Sequence, residues 1–284
     1  MKKILVPTDF SKPAQIAVDV AADIAKKAGA EVTFLHVIEE VTGGSFNVEG
    51  QMDLDGSMEE KLFTLALIKK AKKQMEALLS SPQLEGVKVK SQLRVGTPFH
   101  GMRTIITENK VDLVVMGTAG HSQMQEMIIG TNTEKVVRHA KCPVLTVQKK
   151  PGKTDFKNIV YATALSKDEE PFAAVLKQMQ GLYEDSVVHL VRVNTPGNFQ
   201  RDVVVKKQMQ EFAKKQMLKK YTINIFNDLR EEEGIIYFAD SINADMIAMA
   251  THGRTGFAHV LAGSIAEDVV GHSKRPVLTY VIKK

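Results

Sequence analysis

Short apolar runs rich in Val, Ile and Leu alternate along the chain with longer stretches whose apolar residues recur every three to four positions. In the first half the short runs are KILVPT, EVTFLHVI, VKVKSQLRV, VDLVVMG and PVLTVQ. Between them lie AQIAVDVAADIAKKAG, a Lys-rich segment from about Glu59 to Leu79, PFHGMRTIITENK and TEKVVRHA. The first kind reads as strand and the second as amphipathic helix. Strands separated by helices of this length form βαβ units, which require a parallel sheet. VDLVVM is almost wholly apolar, as a strand covered on both faces should be. The stretch EEVTGGSFNVEGQMDLDG, between Ile38 and Ser57, is Gly-rich and acidic; it reads as a disordered loop, with a flap as the other reading.

The pattern occurs twice. MGTAGHSQMQEMIIGTNTEKVV from Met116 returns as MATHGRTGFAHVLAGSIAEDVV from Met249, and with that constant offset of 133 the match runs ungapped through PVLT in both halves. The two starts, KKILVPTDFS and KNIVYATALS, correspond at an offset of 155, from Ile4 to Ile159. Two copies of one domain are therefore expected, over residues 1–150 and 151–284, joined near KKPGKTDFK. The last strands, PVLTVQ and PVLTYV, are apolar and would be open sheet edges if unpaired, so the two copies should pack through them.

Composition narrows the classes. Hydrophobic residues make up 44% and charged residues 25% of the 284 residues, a globular balance. No apolar run reaches membrane-span length, and MKKILVPTDFSKP has too short an apolar stretch for a signal peptide, so the expected location is cytoplasmic with no membrane partner. A net charge of +5 invites a nucleic-acid reading, but the lysines are spread over amphipathic helices and no Trp is present; nucleic acid is not expected as a partner. The single cysteine, Cys142, reads as a small residue leading into a buried strand.

The candidate chemistry lies in the glycines. Ligands of open parallel sheets bind beyond the carboxyl ends of the strands, where the winding reverses, and the loop after VDLVVM begins at such an end. There Gly117 and Gly120 permit a sharp turn and close approach to a ligand, while Gly130 and Thr131 open the helix TEKVVRHA. The free amides and positive dipole end of that helix suit a phosphate. Asp9 follows the first strand; as a carboxylate it would repel phosphate and is better placed to accept from ribose hydroxyls. An N-cap or Asx turn is the bland reading of Asp9, although Ser11, before Lys12 and Pro13, is the better N-cap.

The spacing G-x2-G-x9-G-[ST], an Asp after the first strand and a terminal PVL strand together resemble the universal stress protein family, as a tandem two-domain member covering essentially the whole chain. The resemblance implies an α/β fold of two adenine-nucleotide-alpha-hydrolase-like, Rossmann-like domains, each a five-stranded parallel sheet in order 3-2-1-4-5 flanked by helices. It implies bound ATP, with Asp9 at the ribose, the backbone of Val37 at the adenine, and Gly117, Gly120, Gly130, Thr131 and Asn132 at the phosphates. Mg is expected with the ATP, because the phosphates have only backbone donors nearby. No protein side chains are expected to form a metal site of their own. The resemblance also implies a pseudo-dimer of the two domains, leaving open a homodimer of chains and an unknown protein partner.

The second copy departs from the pattern. Ala164 replaces Asp9 and Ala250 replaces Gly117, although Gly253, Gly263 and Ser264 remain and Arg254 and His252 make the loop more basic. It is expected to be empty or to hold a different anion weakly. PGKT at Pro151 to Thr154 is not a Walker motif, since Val147 stands where its first glycine is required. No H-E-x-x-H or G-x-S-x-G pattern occurs, and His139 and His272 read as structural. Three classes remain: a nucleotide-dependent regulatory module in stress response, a slow ATPase or nucleotidyl-transfer enzyme, and an interaction protein with a degenerate pocket. No catalytic residue is assigned. HSQMQEMII, between Gly120 and Gly130, has no Lys or Arg to neutralise a transferring phosphoryl group, so at most weak hydrolysis is expected.

Overall fold

The computed structural model describes residues 1–39, 58–118, 130–150, 154–252 and 262–282. The acidic loop after the second strand, most of both glycine loops and the centre of the linker lie outside these. Ten strands and eight helices are described. The first half runs β1 (Lys3–Pro7), α1 (Lys12–Ala28), β2 (Glu31–Ile38), α2 (Met58–Leu79), β3 (Lys88–Val95), α3 (Pro98–Glu108), β4 (Leu113–Gly117), α4 (Thr131–His139) and β5 (Val144–Val147). The second runs β6 (Asn158–Ala162), α5 (Glu170–Leu182), β7 (Val187–Asn194), α6 (Asp202–Lys215), β8 (Tyr221–Asn227), α7 (Glu231–Ser241), β9 (Met246–His252), α8 (Ala262–His272) and β10 (Val277–Ile282).

Each half is a parallel sheet in order 3-2-1-4-5, and the two fuse into one ten-stranded sheet, β3-β2-β1-β4-β5-β10-β9-β6-β7-β8. The seam is antiparallel, with Val277 opposite Thr146 and Thr279 opposite Val144. Pairing through the last strands is thus observed, and it removes two apolar edges at once. Helices α1, α2, α5 and α6 cover one face of the sheet, and α3, α4, α7 and α8 cover the other. Both apolar layers run unbroken across the seam.

Local chemistry explains the helix that shapes the first site. Ser11 caps α1 by accepting from the Ala14 N–H at 3.3 Å, Pro13 stands in the first turn, and Gly29 ends the helix at φ 62°. Its inner face is largely alanine, Ala14, Ala17, Ala21 and Ala25 being buried, so the helix axis lies close to the sheet. The linker packs onto α1: Lys150 pairs with Asp19 at 2.8 Å, Thr154 donates to Asp23 at 2.7 Å, and Phe156 is fully buried.

Candidate functional site

In the first domain β1 lies between β2 and β4, so the chain's winding reverses at its carboxyl end. A cavity of about 390 Å³ opens there. The turn leaving β1 is pinned on several sides. The Thr8 N–H donates to the Leu35 carbonyl at 2.8 Å, and His36 Nδ1 donates to the Thr8 carbonyl at 2.7 Å. The Ser11 N–H donates to Asp9 Oδ1 at 2.9 Å. Asp9 therefore makes the Asx turn of the bland reading, yet it remains exposed and lines the cavity.

Val37 lies one step further along β2. The Leu35 carbonyl faces β1, and the alternation of a parallel ladder turns the N–H and C=O of Val37 to the same side. β1 has already ended at Pro7, so these groups face the cavity past its last ladder partner. The start of α4 also borders the cavity. Gly130 is its N-cap, at φ −51° and ψ 133°, and no side chain caps the helix. The Glu134 N–H is the first to close a helical bond, onto the Gly130 carbonyl at 3.1 Å. The amides of Thr131, Asn132 and Thr133 precede it, and all three residues line the cavity.

Asp9, Val37, Gly117, Gly130, Thr131 and Asn132 thus border one cavity. Gly120 lies outside the described residues. Gly117 also answers a packing constraint that the sequence reading did not include. A Cβ there would lie 2.1 Å from the Pro13 carbonyl oxygen, so the glycine lets α1 approach β4. A Cβ on Gly130 would meet no described residue within 4 Å. His36, Thr8, Met102 and Met116, which the motif did not point to, complete the walls. The alternation within FLHV is the signal that could have found His36. Asp9 and Glu39 bring carboxylates to the described lining and no Lys or Arg does, so an anionic ligand must meet backbone amides or carry its own cation.

The second domain has a corresponding cavity of about 350 Å³ at the ends of β6, β7 and β9. Paired registers, Ile4 with Val32 and Ile159 with Val188, set the offset at 156 here, so Val193 answers Val37 and Arg192 answers His36. Gly101 and Gly234 confirm it: a Cβ on either would press on that valine, at 2.8 and 2.6 Å. Ala164 and Ala250 line this cavity. A 3-10 turn at Lys167–Glu169 precedes α5 where the first turn of α1 stands in the first domain. Gly263 and Ser264 lie in the first turn of α8, while Gly253 and Arg254 fall outside the described residues.

Other candidate side chains are structural. Cys142 is buried and burial, with Asp112 nearby, pushes its thiol up to about 12, so no thiolate is available. His139 rests edge-on against Phe99 with ring centroids 5.9 Å apart, and His272 Nδ1 donates to the Asp268 carbonyl at 2.6 Å. Among the described residues no three His, Cys, Asp or Glu side chains group as a metal site, and no helix is long and apolar enough to cross a membrane.

The model of the universal stress protein family matches residues 1–148 and again 155–280. A universal stress protein of Methanocaldococcus jannaschii is 34% identical over 155 residues, covering 52% of this chain and 96% of that protein. A putative universal stress protein of Staphylococcus saprophyticus is 32% identical over 157 residues, 55% of this chain and 88% of its own length. Over the full chain, the crystal structure of a universal stress protein from Archaeoglobus fulgidus superposes with a TM-score of 0.70 at 20% identity, covering 98% of both chains.

Proposed function

Because the chain belongs to the universal stress protein family, we propose that it is an ATP-binding regulatory module whose first domain carries the main nucleotide site. The observation that carries this is the set of groups that the first cavity brings together. The Asp9 carboxylate, the uncapped amides of Thr131, Asn132 and Thr133, and apolar Leu35, Met102 and Met116 all border it. A nucleotide carries the matching groups, a flat base, a diol and an anionic tail. In this reading the Val37 backbone meets the base edge, Asp9 accepts from the ribose hydroxyls, and the α4 amides receive the phosphates. A divalent cation accompanies the triphosphate, since no Lys or Arg among the described residues lines the cavity.

The same lack of a cationic side chain favours a regulator over an enzyme, because nothing described would stabilise charge developing on a transferring phosphoryl group. Calorimetric titration with ATP and Mg tests the reading. Asp9→Ala should weaken ATP and adenosine alike by about ten- to a hundredfold, the worth of roughly 1.5 to 3 kcal/mol for a charged acceptor. Loss for ATP with adenosine unchanged would remove Asp9 from the ribose. No saturable ATP binding at all would overturn the proposal.

A further inference from the structure

The second cavity contains a buried cation that no counter-ion meets among the described residues. Arg192 is 9% exposed and lines the cavity from β7. Its Nη1 donates to the Ala164 carbonyl at 3.1 Å and its Nη2 to the Asn198 carbonyl at 3.4 Å, and its buried Nε has no partner. Both partners are neutral carbonyls, and among the described residues no carboxylate forms an ion pair with the guanidinium. Burying a charge this deeply is costly unless an opposite charge joins it.

Two carboxylates share the cavity, and neither is free for that task. Glu169 accepts from Tyr161 Oη and Thr163 Oγ1, each at 2.5 Å, and from the N–H groups of Ala164 and Ser166 at 3.1 and 3.2 Å. Glu231 is held by the Asn198 side-chain amide. Glu169 also takes the sequence position that Ala14 has in the first domain, and it lines the same cavity as Ala250, the counterpart of Gly117. A polyphosphate entering as in the first domain would meet a buried carboxylate there, and Ala164 would offer its sugar no acceptor. The other walls, including Val191, Val193, Ile235, Met249 and Ile265, are apolar.

We propose that the second domain binds a small organic monoanion, a carboxylate with an apolar body, through the buried guanidinium of Arg192. A guanidinium suits a planar carboxylate, and the cavity volume suits a metabolite-sized molecule. One negative group is matched by one unpaired cation, while Glu169 and Glu231 select against further negative charge. The site is independent of the first-domain nucleotide assignment.

Calorimetry on the full chain with phenylacetate, acetate and inorganic phosphate tests this. The expected result is one saturable phenylacetate site per chain, with acetate at least about tenfold weaker for want of an apolar body and phosphate weaker still. Arg192→Met should weaken phenylacetate by about tenfold or more, whereas Asp9→Ala should leave it unchanged. Should Arg192→Met fail to fold by circular dichroism, Ala250→Leu fills the cavity with the guanidinium intact and should weaken phenylacetate equally. Absence of saturable binding, binding unaffected by either cavity variant, loss on Asp9→Ala, or phosphate binding more tightly than phenylacetate would each overturn the proposal.

Discussion

A methyl group added at Gly117 would sit 2.1 Å from the Pro13 carbonyl oxygen and 2.8 Å from the Ala14 nitrogen, both backbone atoms with little room to move. Gly117→Ala should therefore push α1 away from β4 and cost about 2–3 kcal/mol of stability, the upper range for overpacking. Gly130 behaves differently, because its φ of −51° suits any residue and no described residue crowds it. Gly130→Val should cost no more than about 1 kcal/mol as a poorer N-cap, yet reduce ATP affinity at least about tenfold by filling the space above the α4 amides. Denaturant unfolding and ATP titration of both variants separate the two roles. A Gly130→Val protein with normal ATP affinity would remove α4 from the proposed phosphate site.

At the scale of elements, α4 and α8 are joined across the seam by Arg138. Arg138 Nε and Nη2 donate to the two Glu267 oxygens at 2.7 and 2.5 Å, and Nη2 also approaches Glu134 of its own helix at 2.7 Å. Glu134 and Glu267 are repeat equivalents, whereas the counterpart of Arg138 is Gly271, so one arginine serves both carboxylates. Hydrogen bonding to Glu267 raises the already high pKa of Arg138, and the pair is partly buried, so salt should screen it less than a fully exposed pair. Arg138→Met should destabilise the chain by about 1–3 kcal/mol, and Glu267→Gln should then cost much less in the Arg138→Met background than alone. Additive losses in that double-mutant cycle would refute the coupling. Periodicity made the strands, helices and their order legible, and the repeated PVLT segments pointed to the seam, because each signal is local or recurs in both copies. Arg138 could not be found that way, since its partner lies 129 positions away and the repeat does not conserve it. The contact of Gly117 with Pro13 was illegible for a related reason: Pro13 is remote in sequence, and a ligand loop and a tight helix contact demand the same residue. Arg192 was hidden by a one-residue shift between the offsets of β1 and β2, visible only in the strand registers.

For the whole molecule, the seam makes two pockets of common descent into parts of one sheet with continuous apolar layers on both faces. The free edges are β3 and β8, and β3 carries Lys88 and Lys90, which discourage further edge pairing. The pseudo-twofold invites the expectation of two equivalent nucleotide sites, but the side chains break it. Where the first pocket presents Asp9, the second presents Ala164, and where the first turn of α1 has Ala14, the second has the buried carboxylate of Glu169. His36 is replaced by Arg192, whose grip on the Ala164 carbonyl holds the strand-end turn as His36 holds Thr8. The loss of a ribose acceptor alone is worth about ten- to a hundredfold in affinity, and an opposing carboxylate adds to it. One full-length chain should therefore bind one ATP. Equilibrium dialysis with Mg and ATP well above the first-site dissociation constant should plateau at one equivalent, and Asp9→Ala should lower that single site without uncovering another. A plateau at two, or a residual tight site in Asp9→Ala, would mean that the second pocket recognises nucleotides by contacts other than those its described residues offer.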